Sequence, residues 1–253
     1  MYPTVVRIGT FDITSFGVLV AAGALVGLWI LGRELARSGL PAAASDAAMA
    51  GVFGGLAGAK LLWTFEHLGE EPFTALFFSR GGMSWFGGLI GGVGVAFVVL
   101  RRQGTPIVPT LAAAAPALAV GHAIGRIGCF LVGDDYGRPS DLPWAVAFPQ
   151  GLPPVDVPVH PTQIYEALAL AVVAWLLLRW RRAGVADASV VGRYFVLAGS
   201  IRFAIEFIRV NTRVVGPLTL AHLISLGLAI VGAIVLARAS GRVAVEPARS
   251  RKR

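Results

Sequence analysis

Seven stretches of about twenty predominantly apolar residues recur along this 253-residue chain, and they constrain the fold more than any other feature. A helix of about twenty residues spans the roughly 30 Å hydrocarbon core of a bilayer, and inside it no backbone polar group can go unpaired. The stretches run approximately over 13–32, 46–66, 84–100, 106–125, 162–180, 191–209 and 218–237. Only 14% of the residues are charged, against roughly 25% in ordinary soluble domains. The expected fold is therefore an all-α integral membrane protein, a bundle of about seven transmembrane helices. One polytopic domain is expected over 1–240, with an external loop at about 127–160 and a basic cytoplasmic tail at 241–253.

Orientation follows from the basic residues. Alternate loops carry Arg33 and Arg37, then Arg101 and Arg102, then Arg179, Arg181, Arg182 and Arg193, then Arg238, Arg242, Arg249, Arg251, Lys252 and Arg253. Lysine and arginine accumulate on the cytoplasmic side, so the N-terminus is expected outside and the C-terminus inside. Only Arg7 precedes the first apolar run, the reverse of a signal peptide, so that helix is expected to stay. The same bias accounts for most of the net charge of +8. No aromatic-interleaved basic groove accompanies it, so nucleic acid is not expected as a partner, whereas membrane lipids are: the tail "ARSRKR" suits anionic headgroups. A single cysteine excludes an internal disulfide.

The external segment is rich in proline ("GRPSDLPWAVAFPQGLPPVDVPVHP") and reads as an extended, turn-punctuated cap. Glycine pairs four apart, Gly51 and Gly55, Gly54 and Gly58, Gly87 and Gly91, Gly88 and Gly92, suit close helix packing and not a phosphate loop.

Charged side chains inside spanning helices face a cavity or one another. In "SIRFAIEFIRVNTR", Arg202, Glu206 and Arg209 stand at i, i+4 and i+7, on one helical face. Arg202 and Glu206 alone would serve as a pair pinning two helices, but the second arginine one turn on favours an anion pocket. His122 and Arg126 are also four apart, and the guanidinium fork suits a phosphate. His122 reads equally well as a core histidine. "HPTQIYEA" opens the fifth stretch with Gln163, Tyr165 and Glu166 near the external interface, where Tyr165 also fits a simple anchor. The four histidines, at 67, 122, 160 and 222, show no metal-ligand spacing, and neither a metal nor a cofactor is expected.

Four of these segments, "GHAIGRIGCFLVGDDYGRP", "GGMSWFGGLIGG", "HPTQIYE" and "IRFAIEFIR", occur in an order and spacing that resemble the prolipoprotein diacylglyceryl transferase family. The resemblance covers nearly the whole chain, from "TSFG" to the seventh stretch. It implies a bacterial inner-membrane enzyme with seven spans and an external N-terminus. Such a transferase moves the diacylglyceryl group of phosphatidylglycerol to the lipobox cysteine of a preprolipoprotein, forms a thioether and releases glycerol phosphate. It further implies catalytic roles for Arg126, Arg202 and Glu206. Substrate contacts are expected from Arg126, Lys60, Arg209, His160, Gln163, Tyr165, Glu166, Gly133, Tyr136 and Gly137. The chemistry agrees: charge that develops on a leaving phosphate is stabilised by fixed arginines in a water-poor site.

The chain departs from the family at four places. Phe86 stands where a histidine, a candidate base, usually precedes two glycines; Cys129 replaces an asparagine, Phe16 a tyrosine and Lys60 an arginine. Cys129 is then either a small buried hydrophobe or a nucleophile favoured by Arg126. Asp134 and Asp135 either cap turns or take the thiol proton in place of the missing histidine, with His122 and Glu206 as rivals. Two other readings remain: a divergent member with the same lipid pocket and another acceptor, and a non-catalytic lipid-binding or transport protein.

Overall fold

The computed structural model describes residues 3–9, 11–79 and 82–245. Arg249, Arg251, Lys252 and Arg253 of the expected basic tail lie outside them. The long helices are α1 (Ser15–Arg37), α2 (Ala44–Glu66), α4 (Trp85–Arg102), α5 (Ile107–Val132), α6 (Thr162–Arg182), α7 (Asp187–Glu206) and α8 (Leu220–Val245), and a short α3 spans Phe73–Phe77. Six of them, all but α3 and α4, are long and apolar enough to cross a membrane. The chain is thus an all-α, multi-pass membrane protein. The expected span near 84 corresponds to α4, an 18-residue helix.

Three two-stranded antiparallel hairpins join the helices: β1 (Thr4–Ile8) with β2 (Phe11–Thr14), β3 (Val146–Phe148) with β4 (Val155–Val159), and β5 (Arg213–Val215) with β6 (Leu218–Thr219). None was expected from the sequence. β3 and β4 give the proline-rich cap its order, and Pro139 bridges to Val159 beside them.

Two helix ends differ from expectation, and both matter to the site. Helix α5 runs on to Val132, because "IGCFLV" prolongs the apolar run and Gly133, at φ +73°, ends it. Arg126 therefore sits within the helix, one and a half turns before its end. Conversely α7 stops at Glu206. Phe207, Ile208 and Arg209 tighten into i→i−3 bonds to Ala204, Ile205 and Glu206, so Arg209 leaves the helix that was expected to carry it. Helix α8 also includes residues 241–245, which were assigned to the tail.

The chain forms two compact units, one of residues 31–110 and one of residues 1–30 with 111–253. In the first, α2 packs on α4 through their glycines. A Cβ added at Gly54 would lie 2.7 Å from Val95 Cβ and 2.9 Å from the Gly91 carbonyl oxygen, and one at Gly92 3.1 Å from that of Gly51. The glycine spacing read from the sequence is used for helix contact. In the second unit, Ala112, Ala115 and Ala119 of α5 bury against Val173, Ala174 and Leu177 of α6 and Val190 and Val191 of α7. These small residues let three helices approach closely, about two to four turns along from the ends that carry Arg126, Glu166 and Arg202.

Overpacking a close contact typically costs about 1–3 kcal/mol. Gly54→Val should accordingly lower the thermal unfolding midpoint in detergent, whereas Gly94→Ala, where an added Cβ meets nothing within 4 Å, should not. Equal midpoints for the two variants would contradict the glycine-mediated contact.

Candidate active site

Polar residues from α5, α6, α7 and the segments beyond α5 and α7 converge in the second unit. Helix α5 places His122 and Arg126 one turn apart on one face. Helix α6, entered through Pro161, turns Thr162, Gln163 and Glu166 inward, all at most 2% exposed. Helix α7 ends with Arg202 and Glu206, and the tightened turn delivers Arg209.

Three arginines and three carboxylates close into a ring of alternating charge. Asp135 Oδ2 lies 2.8 Å from Arg126 Nη1, and Arg126 Nε lies 3.0 Å from Glu166 Oε2. That oxygen also stands 3.5 Å from Arg202 Nη1, and Arg202 Nη2 lies 2.9 Å from Glu206 Oε2. Glu206 Oε2 is 3.5 Å from Arg209 Nε, and Arg209 Nη2 returns to Asp135 Oδ1. Each arginine bridges two acids and each acid two arginines. The positive surplus inferred from α7 alone is thus matched, with Asp135 as the third acid. Two terminal nitrogens, Arg126 Nη2 and Arg209 Nη1, are buried with no hydrogen-bond partner among the described residues.

Several residues hold the ring in place. The amide of Asn211 donates to Glu206 Oε1 at 2.6 Å and the Thr219 hydroxyl at 2.7 Å. The Thr219 backbone N–H donates to His222 Nδ1 at 3.1 Å. The His222 ring packs edge-on against the rings of Phe203 and Phe207. On the opposite side the Thr162 hydroxyl donates to the Asp135 carbonyl at 2.7 Å and Gln163 Nε2 to that of Asp134 at 2.5 Å. Gly137 is required by packing: a Cβ there would lie 2.8 Å from both His160 Cβ and the Ile208 carbonyl oxygen.

The remaining expected residues fall into three groups. His122, its side chain 49% exposed, reaches Glu166 Oε1 at 3.5 Å. Tyr136, Tyr165 and His160 belong to the cap: the Tyr136 hydroxyl donates to the Pro153 carbonyl, Trp144 Nε1 donates to the Tyr165 hydroxyl at 2.7 Å, and His160 Nδ1 stands 3.4 Å from that hydroxyl. Lys60 and Phe86 lie in the other unit, where Lys60 Nζ donates to the Ser79 hydroxyl at 2.8 Å and to its carbonyl at 3.0 Å. Phe86 is on the first turn of α4 and is partly exposed. Gly133 forms the turn after α5.

Asn211, Thr219 and His222 were not expected in the site, and Asp135 was expected as a turn former or, with Asp134, as a proton acceptor, but not as a partner of the arginines. Only Asp135 had a signal, the doubled aspartate of "DDYG". Cys129, buried, lies 3.4 Å from Arg126 Nη1. Cys129, Asp134 and Asp135 hold potential metal-ligand atoms within 4.8 Å of one another, but Arg126 and Arg209 already take both Asp135 oxygens, and a cation there would face two guanidiniums.

Electrostatics separate the two aspartates. Burial pushes the Asp134 carboxyl above the usual range, partly offset by a hydrogen bond from Cys129. Burial alone would raise Asp135 too, but hydrogen bonds and charge from Arg209 and Arg126 outweigh it and hold the group at about 2. A depressed carboxylate contributes stability above its unfolded value of about 3.9 and loses it as pH falls toward the folded value. The gap in unfolding midpoint between the wild type and Asp135→Asn should therefore stay constant from pH 8 to 5 and close between about pH 4 and 2. Closure already at pH 6 would contradict the pairing.

A family model described as prolipoprotein diacylglyceryl transferase matches residues 3–238. Relatives named phosphatidylglycerol–prolipoprotein diacylglyceryl transferase include one from Methylococcus capsulatus, 32% identical over 255 residues, which cover 95% of this chain and 96% of the relative. Another, from Gloeobacter violaceus, is 33% identical over 246 residues, covering 92% and 91%. A third, from Geobacter sulfurreducens, is 32% identical over 248 residues, covering 91% and 92%. With residues from three of its four motifs gathered in one charged ring and matches of this extent, the chain belongs to the prolipoprotein diacylglyceryl transferase family.

Proposed function

We propose that this protein transfers the diacylglyceryl group of phosphatidylglycerol to the lipobox cysteine of a preprolipoprotein. The sulfur forms a bond to the terminal glycerol carbon of the diacylglyceryl group. The carbon–oxygen bond to phosphate breaks with its electron pair staying on oxygen, so glycerol phosphate leaves. The observation that carries this reading is the ring itself, with two buried guanidinium nitrogens free to donate. A phosphodiester carries one negative charge, and the departing monoester acquires a second. Donors already fixed in a low-dielectric site stabilise that growing charge without reorganising.

Within the ring the roles divide. Arg126 and Arg202 hold the phosphate, Arg202 from the more open side with 28% of its side chain exposed, and Arg209 adds its free Nη1. Glu206 is fully buried and accepts from Asn211 and Thr219 besides pairing two arginines, so it serves to position Arg202 and Arg209. Glu166 does the same for Arg126 and Arg202. His160 and Tyr136 of the cap, with Tyr165, Gln163, Gly133 and Gly137, frame the substrate.

The thiol proton needs an acceptor, and Phe86 cannot take it. His122 suits the task best: it is half exposed on the ring's edge, and Glu166 beside it stabilises the imidazolium that forms. Asp134, its Oδ1 buried without a partner among the described residues, is the rival. The orientation that goes with this reading puts the N-terminus and cap outside a bacterial inner membrane and the C-terminus in the cytoplasm.

The test is transfer by purified protein, with phosphatidylglycerol and a one-cysteine lipobox peptide, read as a diacylglyceryl adduct by mass spectrometry. Wild-type protein should form the adduct. Arg126→Ala and Arg202→Ala, compared as folded, monodisperse protein, should lose about 10²-fold or more in rate. No adduct from a folded wild type, or undiminished rates in both variants, would overturn the reading. His122→Gln should lose about 10²-fold or more; a loss below threefold would pass the base to Asp134.

A further inference from the structure

Asp135 differs from every other member of the ring. It is the only non-glycine residue with positive φ among the described residues, at +61°, in a region that L side chains enter at a cost. It is also the most open acid of the three, its side chain 44% exposed, against 3% for Glu166 and 0% for Glu206. Its backbone is nevertheless held by the Thr162 hydroxyl, and each carboxylate oxygen meets a different arginine. Those arginines, 126 and 209, are the two that keep a buried terminal nitrogen without a hydrogen-bond partner among the described residues. A carboxylate of the chain thus sits between the two guanidiniums that keep these unused donors. In Glu206 and Glu166 the ring already has acids that fix the arginines, so a third, exposed and conformationally costly, calls for another purpose.

We infer that Asp135 is a specificity-determining residue, a built-in anion between Arg126 and Arg209 that disfavours doubly charged phosphate monoesters relative to the singly charged phosphodiester. The identity of the two phosphates rests on the transferase reading. The repulsion follows from Coulomb's law: a phosphate beside a fixed carboxylate meets twice the repulsion as a dianion that it meets as a monoanion. Substrate enters with one charge and product departs with two. Asp135 therefore acts against product retention in a site whose arginines would otherwise hold the product harder than the substrate.

The groups facing Asp135 are Arg126 and Cys129 from α5, Arg209 beyond α7, and the neighbouring Asp134, with Thr162 from α6 uncharged. Asp135 itself stays ionised from pH 5 to 8, since the two arginines keep it near 2. The phosphate monoester changes charge in that interval, with a second pKa of about 6. His122 pairs with Glu166 and is not among the groups that face Asp135.

The experiment is calorimetric titration of full-length protein with glycerol 1-phosphate at pH 8 and pH 5, in wild type, Asp135→Asn and Asp135→Gly. Both substitutions tolerate positive φ. Transfer from phosphatidylglycerol is measured on the same samples. Both variants should bind glycerol phosphate about tenfold more tightly than wild type at pH 8, with about half that gain, on a logarithmic scale, at pH 5. By the same charge ratio the KM for phosphatidylglycerol should fall about threefold, and product inhibition should deepen. Unchanged affinity at pH 8, or equal tightening at both pH values, would overturn the inference, and with wild-type transfer intact it would leave the transferase reading standing. A folded wild type without transfer would contradict that reading, while the ratio of affinities at the two pH values would still decide whether Asp135 discriminates by charge.

Discussion

Six charges gathered in one ring at the ends of helices, four of them on buried residues, impose the main constraint on this molecule. Removing one ion from water costs several kcal/mol, and taking away one partner of a buried pair typically costs about 3–5 kcal/mol. The ring meets this by leaving no member with a single partner. That solution dictates local structure around it. Helix α5 has to run past Arg126 to Gly133 so that the turn can bring Asp135 back over the arginine. Helix α7 has to tighten after Glu206 so that Arg209 can reach across to the same carboxylate. Thr219, at the end of β6, must return to Glu206, which gives the β5–β6 hairpin its role.

The helices were legible in the sequence because the physics that selects them is local and one-dimensional. A run of apolar residues long enough to cross a bilayer reads as a helix whatever it packs against, and the expected stretches match the observed helices to within a few residues at most ends. The glycine pairs of α2 and α4 were legible for a similar reason, since spacing on a helix fixes a face. The hairpins were not. Their strands are two to five residues long, and their pairing depends on loops that meet only after the helices are placed.

The site was half legible. Charged residues in apolar runs cannot be indifferent to their surroundings, which singled out Arg126, Arg202, Glu206 and Glu166. Asp135 was legible as a turn former or a proton acceptor but not as a ring member, because an aspartate in a glycine- and proline-rich loop has an adequate local explanation. Its side chain in fact spans Arg126, nine residues back, and Arg209, seventy-four residues on. Asn211, Thr219 and His222 escaped because hydrogen bonds between distant segments leave no spacing in the chain. The i, i+4, i+7 pattern pointed to the right residues through a slightly wrong geometry, since Arg209 lies beyond the helix end.

The departures from the family pattern are consistent with such a ring. Cys129 lies against Arg126 as a small, buried side chain, while Lys60 takes hydroxyl and carbonyl partners at Ser79 that need only a point charge. Phe86 removes one proton acceptor, but the arginines that stabilise the leaving phosphate remain. The central claim is that the phosphate is held by the unpartnered nitrogens of Arg126 and Arg209 together with Arg202. The most direct measurement is an experimental structure of the protein with phosphatidylglycerol bound in a lipid nanodisc. The account expects the headgroup phosphate within hydrogen-bond distance of Arg126 Nη2 and Arg209 Nη1, with the diacylglyceryl chains leading away into lipid. A phosphate bound elsewhere, with the ring unchanged and both nitrogens turned from it, would contradict the account.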